Sequence, residues 1–181
     1  MAGLLSALPA GAGELSAEVR SVLLLRVLAY DRGLPARATG PGIPILLLEA
    51  AGDSASRAEC AQFETALTQL GGKVTVAGRP VHVARAVFTD AAALGKALDT
   101  HKPAVLYVCV GMGPHLADVA GVTRQRRIPS ATGQQPYVAA GLGFGLVEKD
   151  NRPRVVVNLP VCRAEGADFD AALLTLAEII R

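Results

Sequence analysis

The sequence predicts a single-domain, three-layer α/β sandwich: a mainly parallel sheet flanked by helices, with a C-terminal β-hairpin. Residues 43–49 (IPILLLE) and 104–110 (AVLYVCV) are continuous apolar runs, the mark of strands covered on both faces. Segments of helical period lie between such runs, so strands and helices alternate through most of the chain. Asp150-Asn151 divides residues 144–158 into two strands, a hairpin signal.

The size and composition agree with that class. A chain of 181 residues suits one domain, which buries roughly 70% of its unfolded surface without needing a disulfide or metal. The hydrophobic fraction of 51% and the absence of Trp describe a soluble core of Ala, Val and Leu. A net charge of +2 is too small to imply a nucleic-acid partner. No window holds about 18 uninterrupted apolar residues, so the chain is not read as membrane-spanning. Residues 1–15 are small and apolar and read as a flexible leader ahead of one domain over 16–181. Ala10-Gly11-Ala12 loosely resembles a signal-peptidase site, but no Lys or Arg precedes the apolar run, so a signal peptide is not evident.

The elements follow in order. Helical period over residues 16–32 places Val19, Val22, Leu23, Val27 and Tyr30 on one stripe, with Ser16 as N-cap and Gly33 and Pro35 as stops. After the strand at 43–49, Ser56-Arg57-Ala58-Glu59 reads as a capping box. The helix it opens carries Cys60, Phe63, Ala66, Leu67 and Leu70 inward and stops at Gly71-Gly72. Residues 73–77 and 81–88 read as β pieces joined by Gly78-Arg79-Pro80. Asp90 caps a helix over 91–99, and the strand at 104–110 leads to a helix over 114–124. A short strand at 128–132 and the hairpin follow. A last helix, capped by Asp168, sets Phe169, Leu173, Leu176, Ala177 and Ile180 on one face.

Little of this sequence offers chemistry. Gly111-Met112-Gly113-Pro114-His115-Leu116 begins like a dinucleotide fingerprint, but Leu116 stands where the third glycine belongs. No acidic strand tip follows about 20 residues later. Gly141, Gly143 and Gly145 precede a strand, so no helix dipole faces them. His82, His101 and His115 lack the i, i+4 partner of a helical metal pair. Cys60, Cys109 and Cys162 offer no C-x-x-C; Cys109 is most simply a small core residue, and the sequence chooses no disulfide pair. Cys162 beside Arg163 has a setting that lowers a thiol pKa, with no histidine near in sequence. The basic run 124–127 complements a helix C-terminus and lacks the stacking aromatics of a nucleic-acid site. No catalytic residue, cofactor or metal is expected. The expected ligand or partner rim is formed by Glu49, Gly111, Met112, His115 and Thr132, where strand ends converge.

The C-terminal third is more distinctive. The stretch from SATGQQPYVAAGLGFGL to DFDAALLTLAEII resembles the end of the YfiR-like family, whose features fall on Thr132, Gly141, Gly143, Asn158-Leu159, Ala164 with Gly166, and Leu173-Leu174 with Ala177. EVRSVLLLRVLAYDRGL, IPILLLE and VAGRPVHV are similar to the family's start and middle, so the resemblance covers nearly everything after about residue 16. Asn158 suits a cap, Gly166 a stop before the last helix, and Gly141 and Gly143 the start of the hairpin. The resemblance implies a small periplasmic protein with the fold of half a substrate-binding protein. It further implies a non-enzymatic regulator that holds a membrane diguanylate cyclase inactive by binding its periplasmic part, with homodimer formation as a further family property. The sequence departs from the family at 31–35, DRGLP, where a tryptophan-proline step is often found, and the paired cysteines of the family's cyclase-binding regulator are not evident. The alternatives are a small-molecule-binding module using the rim and, behind it, a cytoplasmic nucleotide-dependent enzyme.

Overall fold

The computed structural model describes residues 14–180. Residues 1–13 of the expected leader lie outside the described residues. In the remainder of it, Leu15 is buried and Glu14 accepts a hydrogen bond from Gln134 Nε2 at 3.0 Å.

In chain order the elements are α1 (Ala17–Ala29), α2 (Leu34–Arg37), β1 (Ile43–Ala50), α3 (Ser54–Gly71), β2 (Val81–Phe88), α4 (Ala91–His101), β3 (Val105–Val108), a 3-10 turn at Gly113–His115, α5 (Leu116–Arg126), β4 (Ser130–Thr132), α6 (Gln135–Ala139), β5 (Phe144–Lys149), β6 (Arg152–Asn158), α7 (Leu159–Ala164), α8 (Ala171–Leu176) and β7 (Glu178–Ile180). The sheet order is β2-β1-β3-β4-β5-β6-β7. Strands β1 to β5 are parallel; β6 returns antiparallel to β5, and β7 runs parallel to β6.

Alternation along β1 makes the three layers. Ile43, Ile45 and Leu47 pack with Leu24, Val27 and Leu28 of α1 and with Phe63 and Leu67 of α3. Leu46, Leu48 and Ala50 pack with Leu94 and Leu98 of α4 and with Val119 and Ala120 of α5. Such strands are apolar at every position because both faces are covered. The hairpin turns on Asp150 (φ 52°) and Asn151 (φ 57°), the two residue types that most readily take that backbone.

Four expectations are corrected. The expected stripe of α1 is mostly its outer face: Val19, Val22 and Tyr30 are exposed, while Leu24, Leu25, Val27, Leu28 and also Arg20 and Ser21 are buried. The helix is apolar nearly all round, so period alone does not choose its inner face. The capping box does not form. Asp53 caps α3 by accepting from Ser56 N at 2.9 Å, Ser56 Oγ accepts from Ala50 N, and Glu59 turns into the core. Residues 73–77 are not a strand; only Val76 bridges to Arg79 across a tight turn. The last helix starts from Asp170 rather than Asp168, and it stops at Leu176. Residues 178–180 then join the sheet as β7, since β-branched Ile179 and Ile180 gain ladder hydrogen bonds beside β6 that a frayed helix end does not offer.

Asn158 does cap α7, accepting from Val161 N at 3.4 Å, and Gly166 (φ 84°) follows that helix as its stop. Gly143 has a different use from shaping a hairpin: a Cβ there would stand 2.6 Å from Glu165 Oε2 and 2.8 Å from Ser130 O. Its bareness admits the wholly buried Glu165, which accepts from Thr123 Oγ1 (2.7 Å), Ser130 N (2.8 Å) and Ser130 Oγ (2.7 Å). Burial raises the Glu165 pKa and these donors only partly oppose it. The folded chain therefore holds this proton more tightly than the unfolded chain, a stabilising contribution complete at low pH and lost as pH rises through the folded value. Relative to Glu165→Gln, the wild type is expected to gain thermal stability as pH falls from neutrality, a trend that paired melting curves read directly.

Candidate functional site

Two surfaces frame the functional question: the outer face of α1 and the end of the sheet where the parallel strands finish. The first is apolar and open. Leu23 and Val27 of α1 with its C-cap Tyr30, Pro153 and Val155 of β6, and Leu173 and Leu176 of α8 line a groove of about 240 Å³, flanked by Arg26 and Arg154. Val19 and Val22 extend the same helix face, and Leu176 is 70% exposed. A groove of this kind accepts an apolar side chain, and its two arginines favour a neighbour that carries carboxylates.

The second surface stands on a buried polar network that sequence reading missed. Glu59 from α3 accepts from Arg20 of α1, from the Tyr107 hydroxyl of β3 at 3.1 Å and from Val110 N at 2.6 Å. Arg20 also donates to the Tyr107 oxygen at 2.9 Å and lies 5.7 Å from the centre of the Phe63 ring. Burial and then the Glu59 charge push the Tyr107 hydroxyl well above its ordinary pKa, so it stays protonated and donates. Burial works against the Arg20 charge, but Tyr107 and Glu59 outweigh it and raise its pKa. Gly133 closes over this group; a Cβ there would stand 2.5 Å from Arg20 Nη1. The available signal was Tyr107, a hydroxyl in an otherwise wholly apolar strand, which must find a partner.

Next to the network, Cys60 and Cys109 form a disulfide across 49 residues of sequence. This corrects the reading of Cys109 as simply a small core residue and supplies the pair that the sequence left unchosen. Cys162 is buried and free, and burial pushes its thiol pKa up, the reverse of the lowering expected beside Arg163.

The five expected rim residues do not share one surface. Glu49 is buried on the α3 side, where it pairs with Arg85 and lies 3.9 Å from Arg57. Met112 is buried in the cluster under α4 and α5. Thr132 is buried, its Oγ1 accepting from Gln134 N at 3.1 Å. Gly111 (φ 86°) is half-buried against Asp53, and His115 is exposed with its ring 4.8 Å from that of Phe88. Gly111 and His115 are thus the two with access to solvent. No helix among the described residues is long and apolar enough to cross a membrane.

Comparison with solved structures gives the fold a context. A conserved domain protein from Vibrio cholerae aligns over 93% of this chain and 62% of its own, with a TM-score of 0.66 and 13% identity. A substrate-binding protein with adhesive properties from Clostridium difficile, in a ligand-free, open form, aligns over 89% and 58%, with a TM-score of 0.59 and 13% identity. An ABC domain from Streptococcus pneumonia in complex with L-Trp aligns over 85% and 60%, with a TM-score of 0.58 and 12% identity. The chain therefore spans about three fifths of these proteins, and at such identities the likeness is one of fold. Comparison with curated proteins finds no match. The sequence profile of one family, described as YfiR/HmsC-like, matches residues 17–178. With the fold and nearly the whole chain accounted for, this protein belongs to the YfiR/HmsC-like family.

Proposed function

We propose that the protein is a periplasmic, non-enzymatic regulator that acts by docking the outer face of α1 onto the soluble part of a membrane signalling protein, of the diguanylate-cyclase kind. The observation that carries this reading is the open apolar groove between α1, β6 and α8, continuous with Val19 and Val22 and flanked by Arg26 and Arg154. Family membership supports the regulatory role, and the Cys60–Cys109 bond suits an oxidising compartment. Val22→Asp places a charge in the contact while leaving the core untouched. It is expected to weaken the complex by about tenfold or more, the effect of burying an unpaired charge on the apolar helix face beside the groove. The measurement is co-purification from native membranes, with the partner identified by mass spectrometry and its affinity then measured with purified proteins. An identified cyclase bound equally by wild type and Val22→Asp would sink the docking face; recovery of the protein alone would sink the partner. A second copy of the chain on the same groove is a further family expectation, and sedimentation of the two variants separates it.

A second reading has a small molecule at the strand-end rim, met by Gly111 and His115, the two of the five expected residues with access to solvent. The exposed His115, seated against Phe88 beside Gly111, favours it. A thermal-shift screen tests it, since a ligand at about 100 times its Kd adds roughly 2.7 kcal/mol.

A further inference from the structure

We propose that the cleft between the C-terminal ends of α4 and α5 binds a small multivalent oxyanion, one that carries phosphate or carboxylate groups. The cleft measures about 350 Å³ and opens at the end of the sheet where β1, β3 and β4 begin, opposite the rim. That volume suits a small metabolite. Leu98, Pro103 and Ile128 line it and are buried, so they form its floor. Arg37, Lys102, Arg126 and Arg127 surround them against one acid, Asp99.

Cations at helix C-termini have a structural use, because each helix end carries about half a negative charge. Two helices end here, and together with Asp99 and the Asp31 carboxylate that pairs with Arg37 they offset about three of the four positive charges. An excess of about one positive charge is left, carried by side chains that reach no carboxylate.

The backbone supplies a second, independent observation. Lys102 (φ 43°) and Arg127 (φ 54°) are the C-cap residues of the two helices, and both sit in the left-handed region. Glycine or asparagine is the usual occupant, since other L side chains crowd the neighbouring carbonyl there. The remaining non-glycine residues with positive φ among the described residues, Ala77, Asp150 and Asn151, belong to tight turns. The two strained positions outside such turns therefore meet at one cleft, and both are cationic.

The four cations also divide by role. Asp99 grips Arg126 at 2.9 and 3.1 Å, and Gly95 leaves the space it crosses, since a Cβ there would stand 2.8 Å from Nη2. Arg37 is braced by Gly166 O at 2.7 Å, Ala104 O at 3.4 Å and the Asp31 carboxylate. Arg126 Nη1 also donates to Gln125 Oε1 at 3.2 Å, so each guanidinium has three of its five N–H groups engaged and two left for a ligand. Lys102 and Arg127 have no carboxylate within salt-bridge reach among the described residues. Two fixed forks and two unengaged cations form a site that can close over an anion with more than one charge.

The test is calorimetric titration of the whole chain with inorganic pyrophosphate and, separately, with citrate, at low and at high salt. Saturable binding of at least one is expected, weakened by salt. Response to pyrophosphate alone assigns phosphate; response to citrate alone assigns carboxylate. Lys102→Gly combined with Arg127→Gly is expected to lose binding by about tenfold or more while its melting temperature holds or rises, because glycine relieves the left-handed backbone. A cleft built only to cap helices gives the reverse pattern, a lower melting temperature and no binding in either protein. Absence of saturable binding to both anions at low salt, or equal binding by the double variant, overturns the proposal. The site is separate from the α1 groove, so Val22→Asp is expected to bind the anion unchanged.

Discussion

Glu59→Ala is expected to destabilise the protein by about 3–5 kcal/mol, the cost of leaving a buried charge without its partner. The orphan would be Arg20, which is 4% exposed and already has its Nε without a hydrogen-bond partner among the described residues. Tyr107 and Val110 N would lose their acceptor in the same step. At roughly 2–4 °C per kcal/mol for a chain of this size, the melting temperature should fall by roughly 10 °C. Arg20→Met with Glu59→Gln removes both charges but keeps an acceptor, and it should recover at least half of the loss, because much of the single variant's defect is the unpaired cation. Thermal melts of the three proteins decide the matter. A double variant no more stable than Glu59→Ala would mean that the attraction between the charges, rather than the cost of isolating one, dominates.

Reducing the Cys60–Cys109 bond should cost about 4 kcal/mol, the loop-closure entropy for a crosslink of this span. The expected result is a lower midpoint of urea unfolding for wild type in reductant, and no effect of reductant on a Cys60→Ala, Cys109→Ala variant. A wild-type midpoint indifferent to reductant, with three titratable thiols, would contradict it. The bond and the Glu59 contact to Val110 N fasten the same two elements, through residues adjacent in sequence. Their losses should therefore not add: combining Glu59→Ala with the cysteine changes is expected to cost less than the sum of the parts.

How much of this could be read from the sequence depended on the kind of force involved. Strands β1 and β3 were legible because a run such as IPILLLE leaves no polar face to expose. The Asp150-Asn151 hairpin and the caps by Asp90 and Asn158 were legible because they are local, settled within a few residues. The inward face of α1 was not, since its choice rests on Arg20 meeting Glu59 39 residues away. The disulfide joins a helix residue to one just past the end of β3, and their closeness is a product of the finished fold. Strand β7 was misread as helix because Leu173, Leu176, Ala177 and Ile180 fit the helical period, while an open sheet edge beside β6 leaves no trace in a local window. For the candidate site, the strand-end rim was placed by topology, but the inward turn of Glu49, Met112 and Thr132 depended on side-chain packing.

Residues 30–37, the turn after α1, make contacts with residues 166–170. Asp31 accepts from Asp168 N across 137 residues, Tyr30 O accepts from Asp170 N, and Arg37 holds Gly166 O. A chain emerging from a ribosome or a translocation pore delivers the first of these partners long before the second. Until residues 166–170 appear, the end of α1 and the turn after it lack the partners that fix them. The native state is therefore closed by contacts distant in sequence, and a chain halted before residue 166 should stay open at the seam and present its unfilled core to chaperones.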